Sequence, residues 1–314
     1  MESKALNNGD LIFNKYKIEQ LLGKGNFSFV YLISDKSDKK KHFVLKEFFP
    51  NSFLIRNKNS KTYLKETLSP CKIDEYSNLK LAFRKEAENL KTISSSPHPG
   101  VMNFISFYEN VNNTSYILLD YTKTIPLEKY MKSLSSPKKL IKLLKEILFT
   151  LEHIHYYNIY HQDIKVENIL IKEDETPLII DFGSSVILYD EITGKYLNTA
   201  SPDCAALEQL SLNYPPEIDK STDIYSTAAL IYKIITKNYP INAKIREEAV
   251  ERGEADPYIT LLSKELPCFS KYTLSSIDKA LNLYQEDRFQ DTKTFRRALS
   301  KYNSYNEILN FFKR

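Results

Sequence analysis

The stretch that decides the fold is HQDIKVENILIKEDETPLIIDFG, residues 161–183. Its two short apolar runs, 169–171 and 178–180, flank a charged turn that ends in proline, a pattern that predicts a β-hairpin. Antiparallel pairing brings the open ends of a hairpin together, so Asn168, entering the first strand, should lie near Asp181, leaving the second. Amide and carboxylate oxygens are ligands that suit Mg²⁺. The stretch therefore predicts a cation site at the open end of the hairpin.

The composition is that of a globular protein. The 314 residues are enough to bury one large core or two modest ones, and 42% of them are hydrophobic and 27% charged. A net charge of +4, with acids and bases interspersed, gives no support for a nucleic-acid partner. The longest apolar stretches are far shorter than the ~18 residues of a membrane span, and three widely spaced cysteines predict neither a disulfide framework nor a metal cluster. We therefore expect a cytoplasmic protein, with export as an effector into a host cytosol as the open alternative.

The order of the motifs in 161–183 resembles that of eukaryotic-type (Hanks-type) protein kinases, in which His-Arg-Asp, an Asn five residues after the Asp, and Asp-Phe-Gly follow one another at similar spacing. The resemblance implies an α+β, bilobal, kinase-like fold forming a single domain over 1–314. The N-terminal lobe, 11–121, should contain an antiparallel five-stranded sheet with one helix, and the C-terminal lobe, 122–314, should be mostly α. ATP and Mg²⁺ (or Mn²⁺) are the implied cofactors, and protein substrates are the implied partners, with the regulator unknown.

Alternating apolar residues support the N-terminal part of this fold. They predict strands at 16–22, 27–33, 42–48, 104–109 and 115–120. Residues 49–80 are polar and irregular and are interpreted as an insertion. Helical spacing of apolar residues predicts a helix from about Leu79, ended by the proline-containing stretch 97–100. The continuation 46–50 resembles that of some bacterial kinases, which indicates a bacterial member.

The C-terminal part has helical patterns. Ser136 is a candidate N-cap before Pro137, and the broad apolar stripe of 140–154 predicts a core helix. Further helices are expected around 222–237, 242–251, 273–284 and 291–314.

Two glycines, in GKG at 23–25, lie between predicted strands. A dinucleotide-binding fingerprint must open a helix, so the glycines fit better with a hairpin whose backbone N–H groups cover phosphates. From the glycines alone, a plain hairpin turn is an equal alternative. The resemblance assigns Lys46 to the α- and β-phosphates, oriented by an ion pair with Glu86, or with Glu88 as the alternative. The remaining nucleotide-binding positions that it implies are Gly23, Gly25, Ser28, Val30, Val44 and Asp120. Ser28 replaces the third glycine of the kinase pattern.

The resemblance also assigns the chemistry. Asp163 accepts or orients the proton of the attacking hydroxyl, Lys165 neutralises the γ-phosphoryl group, and Asn168 and Asp181 bind the metal. The position of this lysine, two residues after the aspartate, resembles that in the serine/threonine-specific members of the family. Ser201 stands where those kinases place a hydroxyl that contacts the catalytic Asp and Lys. Three structural positions are implied as well: Glu208 paired with Arg288, and Asp223 bracing the catalytic loop.

One departure from the pattern concerns regulation. Gln162 replaces the arginine that a phosphorylated activation loop neutralises in many kinases, so little dependence on phosphate at Thr193, Tyr196 or Thr199 is expected. Two alternatives to an active kinase stay open. One is a pseudokinase that serves as a scaffold or nucleotide-binding module, and the other is a small-molecule phosphotransferase of the same fold.

Overall fold

The chain forms two compact units in a computed structural model that describes residues 5–25, 27–57, 61–65, 68–134, 136–185, 188–190, 195–197, 200–210 and 217–299. The first unit comprises Met1–Pro97 and Met102–Thr122, and the second comprises His98–Val101 and Lys123–Arg314. The short segment 98–101 thus differs from the predicted lobe ranges. It packs with the second unit because the Ile179 N–H donates a hydrogen bond to the Gly100 carbonyl at 2.9 Å.

The first unit is built on a sheet. Its strands are β1 (Leu11–Ile12), β2 (Tyr16–Lys24), β3 (Ser28–Asp35), β4 (His42–Phe48), β5 (Leu54–Arg56), β6 (Thr62–Leu64), β7 (Phe104–Val111) and β8 (Thr114–Asp120). A six-stranded antiparallel sheet has the order β1-β2-β3-β4-β8-β7. The prediction of five strands was therefore one short, because β1 contains only two residues and shows no alternation that a sequence pattern could reveal. The α+β class, with the sheet first and the helices after it, is confirmed.

Side-chain alternation gives strand β4 two different faces. Phe43 and Leu45 point into an apolar cluster that also contains Tyr31 and Tyr116 of neighbouring strands. Lys46, on the opposite face, reaches helix α1 (Pro70–Ile93). The strand therefore joins the core of the unit to the helix.

The described residues of 49–80 contain more regular secondary structure than their polar sequence predicted. Strands β5 and β6 pair as an antiparallel hairpin, and helix α1 begins at Pro70 rather than near Leu79. Most side chains in the first two turns of α1 are exposed, so the sequence there has no apolar periodicity that would predict a helix. The helix ends at Ile93, before the predicted proline-containing stop.

The second unit is mostly helical. Its elements are β9 (Thr124–Pro126), α2 (Leu127–Met131), α3 (Pro137–Tyr156), β10 (Ile169–Lys172), β11 (Pro177–Ile179), β12 (Leu188–Asp190), β13 (Lys195–Leu197), α4 (Leu207–Leu210), α5 (Lys220–Thr236), α6 (Ala243–Glu251), α7 (Lys271–Ala280) and α8 (Thr292–Ala298). Ser136 caps α3 by accepting a hydrogen bond from the Lys139 N–H. The predicted helix 291–314 is described only to residue 299, and 300–314 lie outside the described residues. Among the residues described, no helix combines the length and apolar character needed to cross a membrane.

Gly100 is a position where even one added methyl group is expected to destabilise the second unit. A Cβ there would lie 2.0 Å from Thr150 Oγ1 and 2.8 Å from Thr150 Cβ on helix α3. Gly100→Ala should therefore lower the free energy of unfolding by roughly 1–3 kcal/mol, measured as a shift of the urea midpoint. Gly23→Ala is the matched control, because the nearest described atom, Val30 Cβ, would be 4.0 Å away. Equal midpoints for the two variants would contradict this packing.

Candidate active site

The β10–β11 hairpin brings the two predicted metal ligands to one end. Ile169 pairs with Ile179, and the Ile180 N–H donates to the Asn168 carbonyl at 2.9 Å. On its other edge β10 pairs with β9, so the hairpin belongs to a three-stranded sheet of the second unit. Asn168 and Asp181 consequently flank the open end of the hairpin.

The side chains of Asn168 and Asp181 offer oxygen atoms that fit a hard divalent cation. The Asn168 Nδ2 donates to the Asp163 carbonyl at 2.8 Å and to Asp163 Oδ2 at 2.9 Å, and neither bond uses the Asn168 amide oxygen. Asp181 is exposed, with its backbone at φ +66°, and its Oδ1 accepts a hydrogen bond from the Gly183 N–H at 3.4 Å. The described residues contain no group of three or more His, Cys, Asp or Glu side chains that could hold a metal ion. This donor set suits Mg²⁺, which usually binds one or two carboxylates and completes its shell with phosphate oxygens and water.

Asp163, Lys165 and Ser201 form one hydrogen-bonded group. The Lys165 Nζ lies 2.7 Å from Asp163 Oδ2 and donates to the Ser201 Oγ at 2.6 Å. The Ser201 N–H donates to Asp163 Oδ1 at 3.2 Å. Partial burial opposes the charge of Lys165, but the Asp163 carboxylate outweighs it and raises the pKa of Lys165 above its usual value. The Lys165 ammonium thus lies within hydrogen-bonding distance of both the Asp163 carboxylate and the Ser201 hydroxyl.

Asp223, at the start of helix α5, holds the loop that carries these groups. Its carboxylate is fully buried and accepts hydrogen bonds from the backbone N–H groups of His161 at 2.8 Å and Gln162 at 2.7 Å. The His155 Nε2 lies 2.8 Å from the same carboxylate. Burial opposes ionisation, yet these hydrogen bonds and the neighbouring histidines lower the pKa of Asp223. Gln162 has a left-handed backbone (φ +65°), so the loop is bent at the residue that Asp223 binds.

Gln209 is a functional candidate that the sequence did not reveal. Its side chain is 6% exposed on the short helix α4. The Gln209 Nε2 donates to the Gln162 carbonyl at 2.7 Å, and its Oε1 accepts a hydrogen bond from the Ala206 N–H at 3.0 Å. One amide therefore ties the catalytic loop to the segment that follows Ser201. The available signal was a polar residue in the otherwise largely apolar stretch AALEQL, residues 205–210.

Glu208 and Arg288 form a buried ion pair. Arg288 Nη1 and Nη2 donate to the two Glu208 carboxylate oxygens at 2.8 and 3.1 Å, and the Arg288 side chain is 0% exposed. The guanidinium also donates to the carbonyls of Asn282 and Leu283. This bidentate pair fixes helix α4, and therefore Gln209, against the loop before α8.

The first unit contains the predicted phosphate-binding lysine. Lys46 Nζ lies 2.6 Å from Glu86 Oε1, and the two side chains are only 12% and 4% exposed. The alternative, Glu88, has a 58% exposed side chain and lies 4.0 Å from Lys85. Glu86, rather than Glu88, is therefore the residue that pairs with Lys46.

The other predicted nucleotide-binding residues lie on or beside strands of the same unit. The Gly25 N–H donates to the Ser28 carbonyl at 2.9 Å, next to Asn26, which lies outside the described residues. Across the sheet Gly23 pairs with Val30, Val30 with Lys46, and Val44 with Leu119. Asp120 ends β8 with an exposed side chain whose Oδ1 accepts from the Tyr121 N–H.

The three predicted phosphorylation positions fall in or beside residues that the structure does not describe. Thr193 and Thr199 lie outside the described residues, and Tyr196 belongs to β13, where only the backbone is described.

Comparison with known proteins gives an independent assignment. The family model described as "Protein kinase domain" matches residues 16–299. The chain is 28% identical over 223 residues to the serine/threonine-protein kinase cds1 of Schizosaccharomyces pombe, covering 67% of this chain and 46% of that protein. It is 25% identical to the serine/threonine-protein kinase PknD of Chlamydia trachomatis, covering 92% of this chain and 31% of that protein. It is also 25% identical to serine/threonine-protein kinase D of Synechocystis, covering 92% of this chain and 52% of that protein.

The chain thus spans about half or less of the length of these curated relatives. A solved structure titled "PpkA-294 apo form" superimposes with a TM-score of 0.79 at 25% identity, covering 95% of this chain and all of that one. The resemblance seen in the motifs is confirmed: the chain belongs to the protein kinase family.

Proposed function

We propose that this protein transfers the γ-phosphate of ATP to serine or threonine hydroxyls of protein substrates. The observation that carries the proposal is the hydrogen-bonded group of Asp163, Lys165 and Ser201, with Asn168 bound to Asp163. Phosphoryl transfer requires little covalent chemistry from the protein, so catalysis depends on positioning and on stabilising the spread of negative charge. This group supplies both, because its charged atoms are fixed by one another.

Each residue of the group has a distinct proposed task. Asp163 accepts or orients the proton of the acceptor hydroxyl, and Lys165 stabilises charge on the transferring phosphoryl group. Ser201 holds the Lys165 ammonium through its Oγ and Asp163 through its N–H. Asn168 and Asp181 would hold a divalent cation, which supplies neutralisation of phosphate charge when it is bound.

On the nucleotide side, we assign the α- and β-phosphates to Lys46, held in place by Glu86. The backbone N–H groups around Gly23 and Gly25 would cover the phosphates, with Ser28 adding a hydroxyl where kinases usually have glycine. Val30 and Val44 offer apolar contact, and Asp120 offers polar contact. These assignments follow the kinase pattern residue by residue.

The two alternative functions find less support. A pseudokinase commonly lacks the strand lysine, the catalytic aspartate or the metal-binding asparagine, whereas Lys46, Asp163 and Asn168 are all present. Cys204 departs from the kinase pattern, but burial and the charge of Asp163 raise the pKa of its thiol to about 12, so it is a packing residue rather than a nucleophile. A small-molecule phosphotransferase would not need the segment from Ser201 to Glu208, which resembles the segment that docks the peptide substrate in protein kinases.

Removal of the proposed base is expected to abolish transfer. Asp163→Asn should lower the rate of phosphate transfer from radiolabelled ATP to protein substrates by about 10²–10⁴-fold, since it removes the proton acceptor. Lys46→Met should lower it by roughly 10²–10³-fold, because a positioned cation is lost. Small-molecule acceptors run in parallel would reveal the alternative phosphotransferase. Wild-type activity no higher than that of either variant, on every acceptor, would contradict both enzyme functions.

Activity should depend little on phosphorylation of the activation segment. Simultaneous replacement of Thr193, Tyr196 and Thr199 by alanine or phenylalanine should leave peptide phosphorylation within about threefold of wild type, because Gln162 carries no charge for a phosphate to neutralise. Phosphatase treatment of the wild-type enzyme should likewise have little effect. Ser201→Ala is the control and should reduce activity in the same assay. A large loss that phosphate restores would refute the prediction.

Gln209 should support catalysis without contributing to nucleotide binding. Gln209→Met keeps the side-chain size but leaves the Gln162 carbonyl and the Ala206 N–H unsatisfied, which should cost roughly 1–3 kcal/mol of stability for each buried group. We expect a lower kcat with an unchanged affinity for ATP. Gln290→Met is the matched control, since Gln290 Nε2 also donates to a backbone carbonyl, that of Gln285, at 2.9 Å. Equal kcat values for the two variants would argue against this role.

A further inference from the structure

The insertion segment (residues 49–57 and 61–65) contacts one face of the end of strand β4, which carries Lys46, and it also contacts helix α1. We infer that this segment braces helix α1 and thereby holds the Glu86 carboxylate against Lys46, with Tyr76 as the positioning residue through which the brace acts. The inference rests on the proposed function, because it concerns how the phosphate-binding lysine is oriented. It gives a role to a region whose sequence indicated only an irregular insertion.

A buried carboxylate anchors the insertion segment on one face of β4. Glu47 is 0% exposed and accepts hydrogen bonds from the hydroxyls of Tyr31 and Tyr116, both at 2.9 Å. Arg56 of the insertion segment donates to the same carboxylate at 2.6 Å, with its side chain 5% exposed and its guanidinium 4.7 Å from the centre of the Phe49 ring. Breaking a buried pair of this kind leaves an uncompensated charge. The segment is therefore firmly joined to β4.

Backbone hydrogen bonds close the segment on itself and on the sheet. The Lys65 N–H donates to the Phe53 carbonyl at 2.9 Å, and the Thr62 N–H donates to the Asn112 carbonyl in the β7–β8 turn at 3.1 Å. Lys65 Nζ donates to the Ser52 carbonyl at 2.8 Å. These hydrogen bonds therefore fix the position of the backbone that carries Phe53.

Aromatic rings connect the segment to helix α1. Phe48 lies on the same face of β4 as Lys46, and its ring centre is 5.8 Å from that of Tyr76 and 5.3 Å from that of Phe83 on the helix. Phe53 of the insertion segment lies 5.9 Å from Tyr76 on the same measure. Phe48 and Phe53 are each 1% exposed. Tyr76 therefore packs against one ring of the strand and one ring of the insertion segment.

The aromatic contacts and the ion pair are made by the same face of helix α1, so a movement of the helix affects both. Tyr76, Phe83 and Glu86 are separated by seven and three residues, so they share one face of α1. Rotation of α1 that withdrew Glu86 from Lys46, now 2.6 Å away, would also pull Tyr76 off Phe53. The brace consequently favours the paired position of Glu86, and it is supplied by this chain rather than by a partner.

The test compares the affinities of the full chain for ATP and for adenosine. Because Lys46 would contact phosphates, Tyr76→Ala should raise the Kd for ATP about tenfold and leave the Kd for adenosine unchanged. Tyr76→Phe keeps the ring and should behave as wild type. Tyr108→Ala is the matched control, since it removes a partly buried tyrosine whose ring stacks on Phe13 at 4.1 Å. If Tyr76→Ala does not fold, Phe53→Leu provides a milder variant with the same expected direction.

A double-mutant cycle shows whether Tyr76 acts through Glu86. In a Glu86→Gln background, Tyr76→Ala should cause no further loss of ATP affinity, because the ion pair that it positions is already gone. Equal weakening of ATP and adenosine binding, or additive effects in the cycle, would overturn the inference. Lys46→Met separates this failure from that of the proposed function. If it weakens ATP binding while Tyr76→Ala does not, the brace alone is wrong; if it has no effect, the assignment of Lys46 to the phosphates is wrong as well.

Discussion

A fully buried carboxylate, Asp223, fixes the loop on which the proposed chemistry depends. It accepts two backbone N–H groups from a loop whose backbone adopts a left-handed conformation at Gln162, and it lies beside His155 on the core helix α3. An ionised group away from water is tolerated only when its oxygens are hydrogen-bonded, so the loop and the two helices must keep this arrangement together. The positions of Asp163, Lys165 and Asn168 follow from it, because all three lie within six residues of Gln162 along the loop.

Neutral hydrogen bonds join the loop that contains Gln162 to helix α4. Gln162 stands in place of an arginine, and its carbonyl is bound by the Gln209 amide, which also binds the Ala206 N–H. Both hydrogen bonds are made within the chain. In the first unit, the rings of Phe53 and Tyr76 provide a comparable internal support for helix α1. In each unit, packing and hydrogen bonding within the chain thus surround the proposed catalytic residues.

Several elements could be predicted because their signals are local. The strands of the main sheet alternate in polarity, and the hairpin that presents Asn168 and Asp181 has two apolar runs around a turn. The start of α1 could not be predicted, since most side chains of its first two turns are exposed and its buried apolar stripe begins only at Leu79. The hairpin β5–β6 was missed for a related reason: its order comes from the Arg56–Glu47 pair and from contacts with the β7–β8 turn. Such contacts join distant parts of the chain and have no local pattern.

The sequence by itself determined the fold family, the hairpin, and the catalytic and metal-binding candidates, because these lie in one continuous stretch with characteristic spacing. Only the tertiary structure decided that Glu86 rather than Glu88 pairs with Lys46, that Gln209 joins the catalytic loop to the segment after Ser201, and that residues 98–101 pack with the second unit. The physical reason is the same in each case. Burial and hydrogen-bond geometry depend on which distant residues meet, and a side chain carries no information on its partner until the helices and strands around it have packed.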